Sequence, residues 1–443
     1  MINPRPYWFL EANKILSTAQ AGFRNGHRTE DQLFRLSQRI IDGFHAKKST
    51  TAVFVDLQQA YDRVWRKGLL LKMQKLGIKG KLYNWIKNFL SNRIIQTKVT
   101  DALSSKKILE EGLPQGSALS CTLFLIFIND LPDNLKSEKA LYVDDLVLWN
   151  THEIAGISAM YLNADLKSLE TYCHKWKLKL NQNKTVYTIF SNSSKVASKT
   201  LSLKYEGVQL TKEDNPVYLG VTLDQRMTLE KHMQNVKEKS SRRLNIVKRL
   251  ASTTWGADKD TLRQLYLGYV RSSMEYNLAL QSISSETNRA ALDKVESSAV
   301  HFIAGAMKST PTAACHIHTD VQPLSLRREA AVLEMVERYR REDEDKPNAK
   351  IVKNWKENQR IKKNSILKIE KKIQVKHHLP NNREMEDFRK NNPPPNENLY
   401  EPSINLKLKE DVSKKRSDPL ELQLTGEQTI MDYPDNWIHI HGL

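Results

Sequence analysis

Residues 140–149 read ALYVDDLVLW and set two adjacent carboxylates, Asp144 and Asp145, inside a run that is otherwise almost wholly apolar. An ionised carboxylate is expensive to desolvate alone, so the pair needs a turn, a cationic partner or a metal. The plainest reading is a hairpin, with an Asp-Asp turn between strands 140–143 and 146–149. Whether the carboxylates do more is decided by the rest of the chain.

Upstream, TTAVFVDL (50–57) is a short β-branched strand ending near a third aspartate, Asp56. Alone, Asp56 reads as the N-cap of a following helix. A β-α unit and a hairpin from one sheet would instead bring Asp56, Asp144 and Asp145 to one edge. Divalent cations would relieve the repulsion there, and two of them about 4 Å apart would align an attacking hydroxyl with a leaving pyrophosphate.

The flanking pattern is mixed. Thr29-Glu30-Asp31-Gln32 has capping-box spacing, with Thr29 as N-cap and Gln32 reaching back. The helix that follows puts Leu33, Leu36, Ile40, Ile41 and Phe44 on one face. RIIQTKVT (93–100) and KKILEEG (106–112) read as paired strands, and LSCTLFLIFI (119–128) is a helix too short to span a bilayer, hence buried. A further helix is predicted over about 157–179, then strands TVYTIF (185–190) and VYLGVTL (217–223). From about 228 to 341 the pattern turns helical and basic. Residues 346–378 hold eleven Lys or Arg against two Glu, and NNPPPNEN (391–398) is a linker by composition.

The 443 residues carry 69 Lys and Arg against 51 Asp and Glu, a net charge of +18. That excess suits a polyanionic partner, most often nucleic acid, although an anionic membrane surface also fits. Three dispersed cysteines argue against a disulfide framework and for a reducing compartment. Cys315-His316-Ile317-His318 lacks the second ligand pair of a zinc site. No signal peptide or membrane span is evident, so a soluble, intracellular protein is expected.

Six motifs in order carry a family resemblance: QAGFRNGHRTEDQL (20–33), FVDLQQAYDRVW (54–65), GLPQGSALSCTLFLIFINDL (112–131), YVDD (142–145), LKLNQNKTVYTIF (178–190) and YLGVTL (218–223). The chain resembles the reverse transcriptase of non-LTR retrotransposons of the jockey-like, arthropod type, from residue 6 to about 341. The resemblance implies an α+β right-hand polymerase with fingers, an antiparallel palm sheet and a helical thumb. Its expected divisions are 1–227 for partial fingers and palm, 228–341 for a thumb-like region, 342–430 for a basic linker, and 431–443 for the start of a ribonuclease H-like domain. Asp56, Asp144 and Asp145 would be carboxylates for two Mg²⁺ ions, with Mn²⁺ as the alternative. Tyr61 would be an aromatic steric gate against ribose, or equally a core aromatic. Gln115 would lie near the incoming nucleotide, Lys184 beside its pyrophosphate or simply on the surface. Gly116 would let template and base approach the backbone. Tyr218, Leu219 and Gly220 would grip the primer or form a bent core strand, and Arg24 would support the fingers or touch template phosphate.

The implied partners are an RNA template, a DNA primer and deoxynucleoside triphosphates, with no membrane, and the implied place is the nucleus, where such elements use nicked chromosomal DNA. Val143 and Cys121 stand where the family more often has Ala and Pro. Relative to the family the chain is expected to be truncated at both ends, lacking an upstream fingers block and the ribonuclease H catalytic aspartate, so no ribonuclease H activity is expected. The competing expectation is an inactive truncated remnant that binds nucleic acid without polymerising.

Overall fold

The computed structural model of the protein describes residues 3–251, 256–357 and 363–379. Its centre is the strand Ser49–Val55, whose seven residues are all buried. Both neighbours, Asp145–His152 and Val186–Phe190, run antiparallel to it. The five-stranded sheet is completed by Glu138–Tyr142 on one side and Thr211–Lys212 on the other. The last pair, Thr211–Lys212 with Val186–Phe190, is parallel, so the sheet is mixed at one edge rather than antiparallel throughout.

Alternation along the central strand divides the core. Ala52 and Phe54 face the helix Thr29–His45, whose Leu33, Leu36, Ile40, Ile41 and Phe44 are buried as their spacing predicts. Val53 and Val55 face the opposite way, toward the helices Ala118–Ile128 and Ala155–Trp176. Ala118–Ile128 is apolar on every side because it is enclosed on every side, as the reading of 119–128 required. Among the described residues no helix is long and apolar enough to cross a membrane.

One lysine lies inside the second core. Lys72, with 5% of its side chain exposed, donates to the Tyr172 hydroxyl at 2.8 Å and to the Asp130 carboxylate, and sits 3.8 Å from the Trp176 ring centroid. Burial pulls its ammonium down to about 8 from the ordinary 10.5, against the opposing pull of Asp130. A lysine depressed in this way costs folding free energy wherever it is protonated, so the cost is complete below about pH 8 and is relieved as pH climbs toward 10.5. The urea midpoint of the wild type should therefore rise relative to that of Lys72→Met across this window. Parallel pH profiles for the two proteins would contradict that.

The described residues of 228–341 are mostly helical, as predicted, with Glu230–Arg249, Glu286–Ile303 and Leu324–Arg341 as the longest pieces. Their Val236, Leu244, Leu292, Val300, Val332 and Val336 join the core that packs on the Thr29–His45 helix. Within this region Tyr266–Arg271 widens into a π-helical turn.

Three local expectations change. The linker expected from 342 instead continues as two helices, Pro347–Asn354 and Ile366–Lys376. Ile351, Ile366, Leu367 and Ile373 are buried there, while Lys371 and Lys372 stay exposed, so the charge run is the outer face of helices whose inner stripe is apolar. Residues 380–430 of that linker and the ribonuclease H-like start at 431–443 lie outside the described residues. The capping box is displaced by one residue: the Asp31 carboxylate accepts the Arg28 N–H at 2.8 Å, and the Gln32 amide is used elsewhere, donating to the carbonyls of Ala19 at 2.9 Å and Leu141 at 3.0 Å. Finally, VYLGVTL is not one bent strand: Val217–Tyr218 and Val221–Thr222 pair with each other as a separate hairpin, as the primer-gripping reading has it.

Candidate active site

The central register assembles the site. Val55 pairs with Leu146, so the next residues outward, Asp56 and Asp145, leave the sheet at the same end. Glu138–Tyr142 and Asp145–His152 pair up to Tyr142↔Asp145, so the turn is Val143-Asp144, one residue earlier than the expected Asp-Asp turn, and Asp145 is the first residue of its strand. No helix starts at Asp56; the next begins at Arg66, so the N-cap reading is not realised. Instead the Asp56 backbone is bonded to a second turn: its carbonyl accepts the Asn181 N–H at 2.8 Å, and its N–H donates to the Thr185 hydroxyl at 3.3 Å. Lys184 is exposed on that turn, between the two residues bonded to Asp56.

The carboxylates sense one another. Desolvation raises the Asp144 carboxyl above its ordinary value, and the charge of Asp56 adds to the rise. Asp145 reaches solvent, yet the surrounding protein raises it to about 6, with Asp144 and then Asp56 contributing. Burial is the larger cause for both, and the like charges of the neighbouring carboxylates add to it. The donor set is all carboxylate oxygen, the chemistry that hard divalent cations take. As placed, no three His, Cys, Asp or Glu side chains among the described residues converge on a single ion position; strand register and mutual electrostatics are what unite these three.

Tyr61 is half-buried, stacked on Phe124 at 4.6 Å with the ring planes 10° apart, and met edge-on by Phe23 at 6.3 Å. The Tyr61 carbonyl accepts the Leu113 N–H at 2.9 Å, and the Val64 carbonyl accepts the Gly112 N–H at 2.9 Å. The GLPQG stretch is thus laid across the Tyr61–Val64 turn. Gly112, at φ +82°, has no room for a side chain, since a Cβ would meet the Asp62 carbonyl oxygen at 2.8 Å. Gly116, at φ +87°, faces open space, and Gln115 donates to the Asp62 carboxylate at 2.9 Å.

The hairpin carrying Tyr218, Leu219 and Gly220 closes another side. Tyr218 is buried 5.6 Å from the Phe54 ring, and burial followed by the charge of Asp145 pushes its hydroxyl's pKa up. Leu219 and Gly220 form the turn, at φ 45° and 77°. Arg24, by contrast, is occupied within its own block, donating to Glu11 at 2.9 and 2.8 Å, to the Ser17 carbonyl at 2.9 Å and to the Gln20 carbonyl at 3.1 Å. Of its two readings, support of the surrounding loop is the one this geometry makes; as a primer or template contact it has little to offer.

Two supporting residues went unseen in the sequence. The Arg66 guanidinium is buried and donates to the carbonyls of Gly112 at 2.8 Å, Leu90 at 2.9 Å, Glu111 at 2.8 Å and also Leu109, anchoring the chain that enters the GLPQG turn. Tyr276, from the helical region, donates to the Leu219 carbonyl at 2.8 Å and packs where a Gly220 side chain would stand. Neither carries a local signal, since an arginine opening a helix and a tyrosine ending one are ordinary. Beside Tyr276, Lys239 and Arg243 share a groove of about 360 Å³ with Gly220, Ser272 and Ser273.

Residues 4–223 match the family described as reverse transcriptase (RNA-dependent DNA polymerase). The probable RNA-directed DNA polymerase from transposon BS of Drosophila melanogaster is 30% identical over 298 residues, covering 66% of this chain and 33% of that protein. The RNA-directed DNA polymerase from the mobile element jockey of the same species is 28% identical over 236 residues, 52% of this chain and 25% of that protein. A solved structure of apo telomerase from Candida tropicalis is similar at 11% identity and a TM-score of 0.37, over 76% of this chain and 60% of that one. The chain spans between a quarter and a third of the length of these curated relatives.

Proposed function

We propose, from the premise that residues 4–223 are a reverse transcriptase domain like those of jockey-type non-LTR retrotransposons, that the chain is an RNA-directed DNA polymerase extending a primer 3′-hydroxyl with deoxynucleoside triphosphates. The observation that carries this reading is the Val55↔Leu146 register, which brings Asp56 to one sheet edge with Asp144 and Asp145, whose carboxyls are raised. In this reading the three carboxylates hold two Mg²⁺ ions, or Mn²⁺ in their place. Bound there, the cations supply charge that offsets the attacking and leaving oxygens of an in-line displacement.

The chain's own residues do the rest. The Tyr61 ring, braced by Phe124 and Phe23, excludes a 2′-hydroxyl from the incoming sugar. Gln115 borders the base, and Lys184, on the turn bonded to Asp56, faces the departing pyrophosphate as a charge stabiliser or general acid. Leu219 and Gly220 bear on the primer end. Lys239 and Arg243, in the neighbouring groove, neutralise phosphates of the template–primer duplex. With nicked chromosomal DNA as primer, the work is done in the nucleus.

The test is primer extension by the purified chain on an RNA template, with Mg²⁺ and the four deoxynucleotides. Template-directed extension is the expected outcome, and duplex binding without extension would favour a chain that holds nucleic acid but does not copy it. Tyr61→Val tests the gate: incorporation of ribonucleotides relative to deoxynucleotides should rise by about tenfold or more. An unchanged ratio would leave Tyr61 as a core aromatic only.

A further inference from the structure

The segment before the Thr29–His45 helix is tied to the turn that carries Asp144 and Asp145. The Ala21 N–H donates to the Leu141 carbonyl and the Leu141 N–H to the Ala19 carbonyl, each at 2.9 Å, so residues 19–21 lie along the outer edge of Glu138–Tyr142 as a short parallel bridge. From this edge the Gln20 side chain reaches the turn. Its Nε2 donates to the Val143 carbonyl at 3.1 Å, and its Oε1 accepts the N–H groups of Val143 at 2.9 Å and Gly22 at 2.7 Å. Gln20 is 3% exposed, so these bonds are made out of water.

What the carboxamide holds is an unfavourable conformation. Val143 has φ +59°, the left-handed region that a β-branched residue rarely adopts. Gly22 closes the other side: a Cβ there would meet the Val143 nitrogen at 2.4 Å and its Cγ2 at 2.5 Å. The turn is therefore over-determined by residues far from it in sequence. Strained backbone held this way is a means of fixing the direction of adjacent groups.

We infer that Gln20 is a positioning residue, whose carboxamide locks Val143 in the left-handed conformation and so fixes how Asp144 and Asp145 leave the turn. The inference rests on the polymerase reading for its consequence, but the lock itself is a property of the fold. Gln20→Met keeps length and volume while removing all three hydrogen bonds. In the full chain it should lower kcat for primer extension by about 100-fold, with KM for the deoxynucleotide and the duplex affinity changed by no more than about twofold. Asparagine adopts the left-handed region more readily than valine. Val143→Asn in the Gln20→Met background should therefore recover at least about tenfold of the lost kcat, a rescue that a general loss of stability does not produce.

Amide hydrogen exchange supplies a readout independent of activity. In Gln20→Met, exchange should accelerate in the peptide containing Val143 and remain unchanged in the central strand. If the wild type fails to extend primers, the polymerase reading falls while this exchange result still tests the lock. Unchanged exchange at Val143, or a fall in kcat that only follows the fraction of folded protein and that Val143→Asn does not rescue, would overturn the inference.

Discussion

Asp144→Asn is expected to lower primer extension by about 10³-fold or more, while duplex affinity stays within about twofold. Asparagine keeps the shape of the turn and removes one negative charge from the three carboxylates proposed to hold the cations. The same change should leave the chain as stable as before, or more so, in the absence of divalent cations. The reason lies in the sign of the shift: Asp144 and Asp145 have raised carboxyls, Asp145 to about 6 from an ordinary 3.8. A carboxyl raised by folding holds its proton more tightly in the folded chain. Its ionisation therefore costs stability progressively as pH rises through that window. Extension and thermal unfolding measured on the same preparation check both halves, and an Asp144→Asn protein that polymerised normally would remove Asp144 from the proposed metal-binding set.

The largest effect on stability is expected at Asp31. This carboxylate is 4% exposed and accepts from Arg338 at 2.6 Å, the Tyr339 hydroxyl at 2.9 Å and the Arg28 N–H at 2.8 Å. Arg338 and Tyr339 belong to the Leu324–Arg341 helix, so one side chain ties the start of the Thr29–His45 helix to a segment 307 residues away. Asp31→Ala leaves the buried Tyr339 hydroxyl without its acceptor and the largely buried Arg338 guanidinium with only the Gly26 carbonyl at 3.3 Å and Glu342 at 3.9 Å, a change of the kind that typically costs about 3–5 kcal/mol. Asp31→Asn, which retains an acceptor oxygen but not the charge, should cost less. Urea denaturation of the three proteins checks the ranking, and an Asp31→Ala loss below about 1 kcal/mol would show that the cluster relaxes around the gap.

Much of the site was legible because its residues announce themselves locally. Two carboxylates in an apolar alternation specify a hairpin tip, and a β-branched run ending in Asp56 specifies a strand that delivers a third carboxylate. That both ends coincide is a matter of register, which the apolar pattern constrains because a one-residue slip would turn the buried face outward. What holds the site was not legible. The Gln20–Val143 bonds span 123 residues, the Arg66–Gly112 bond 46 and the Tyr276–Leu219 bond 57, and none leaves a periodic trace in the sequence. The motif around Arg24 leaves its role open, whereas its position between Glu11 and two carbonyls is tertiary information. The helices from Pro347 to Lys376 were misread for a related reason: abundant lysine masked an apolar stripe at helical spacing.

The most direct test of the shared carboxylate edge is a Mn²⁺ titration followed by electron paramagnetic resonance. It would use the chain bound to an RNA template and a chain-terminated DNA primer, with the matching deoxynucleotide present and no chemistry able to proceed. Tight Mn²⁺ binding in the wild type that is lost in both Asp56→Asn and Asp144→Asn is the predicted result, because either substitution breaks one joint site. Equal Mn²⁺ binding by all three proteins would contradict it, and would mean that the strand register brings these aspartates together without making them a metal site.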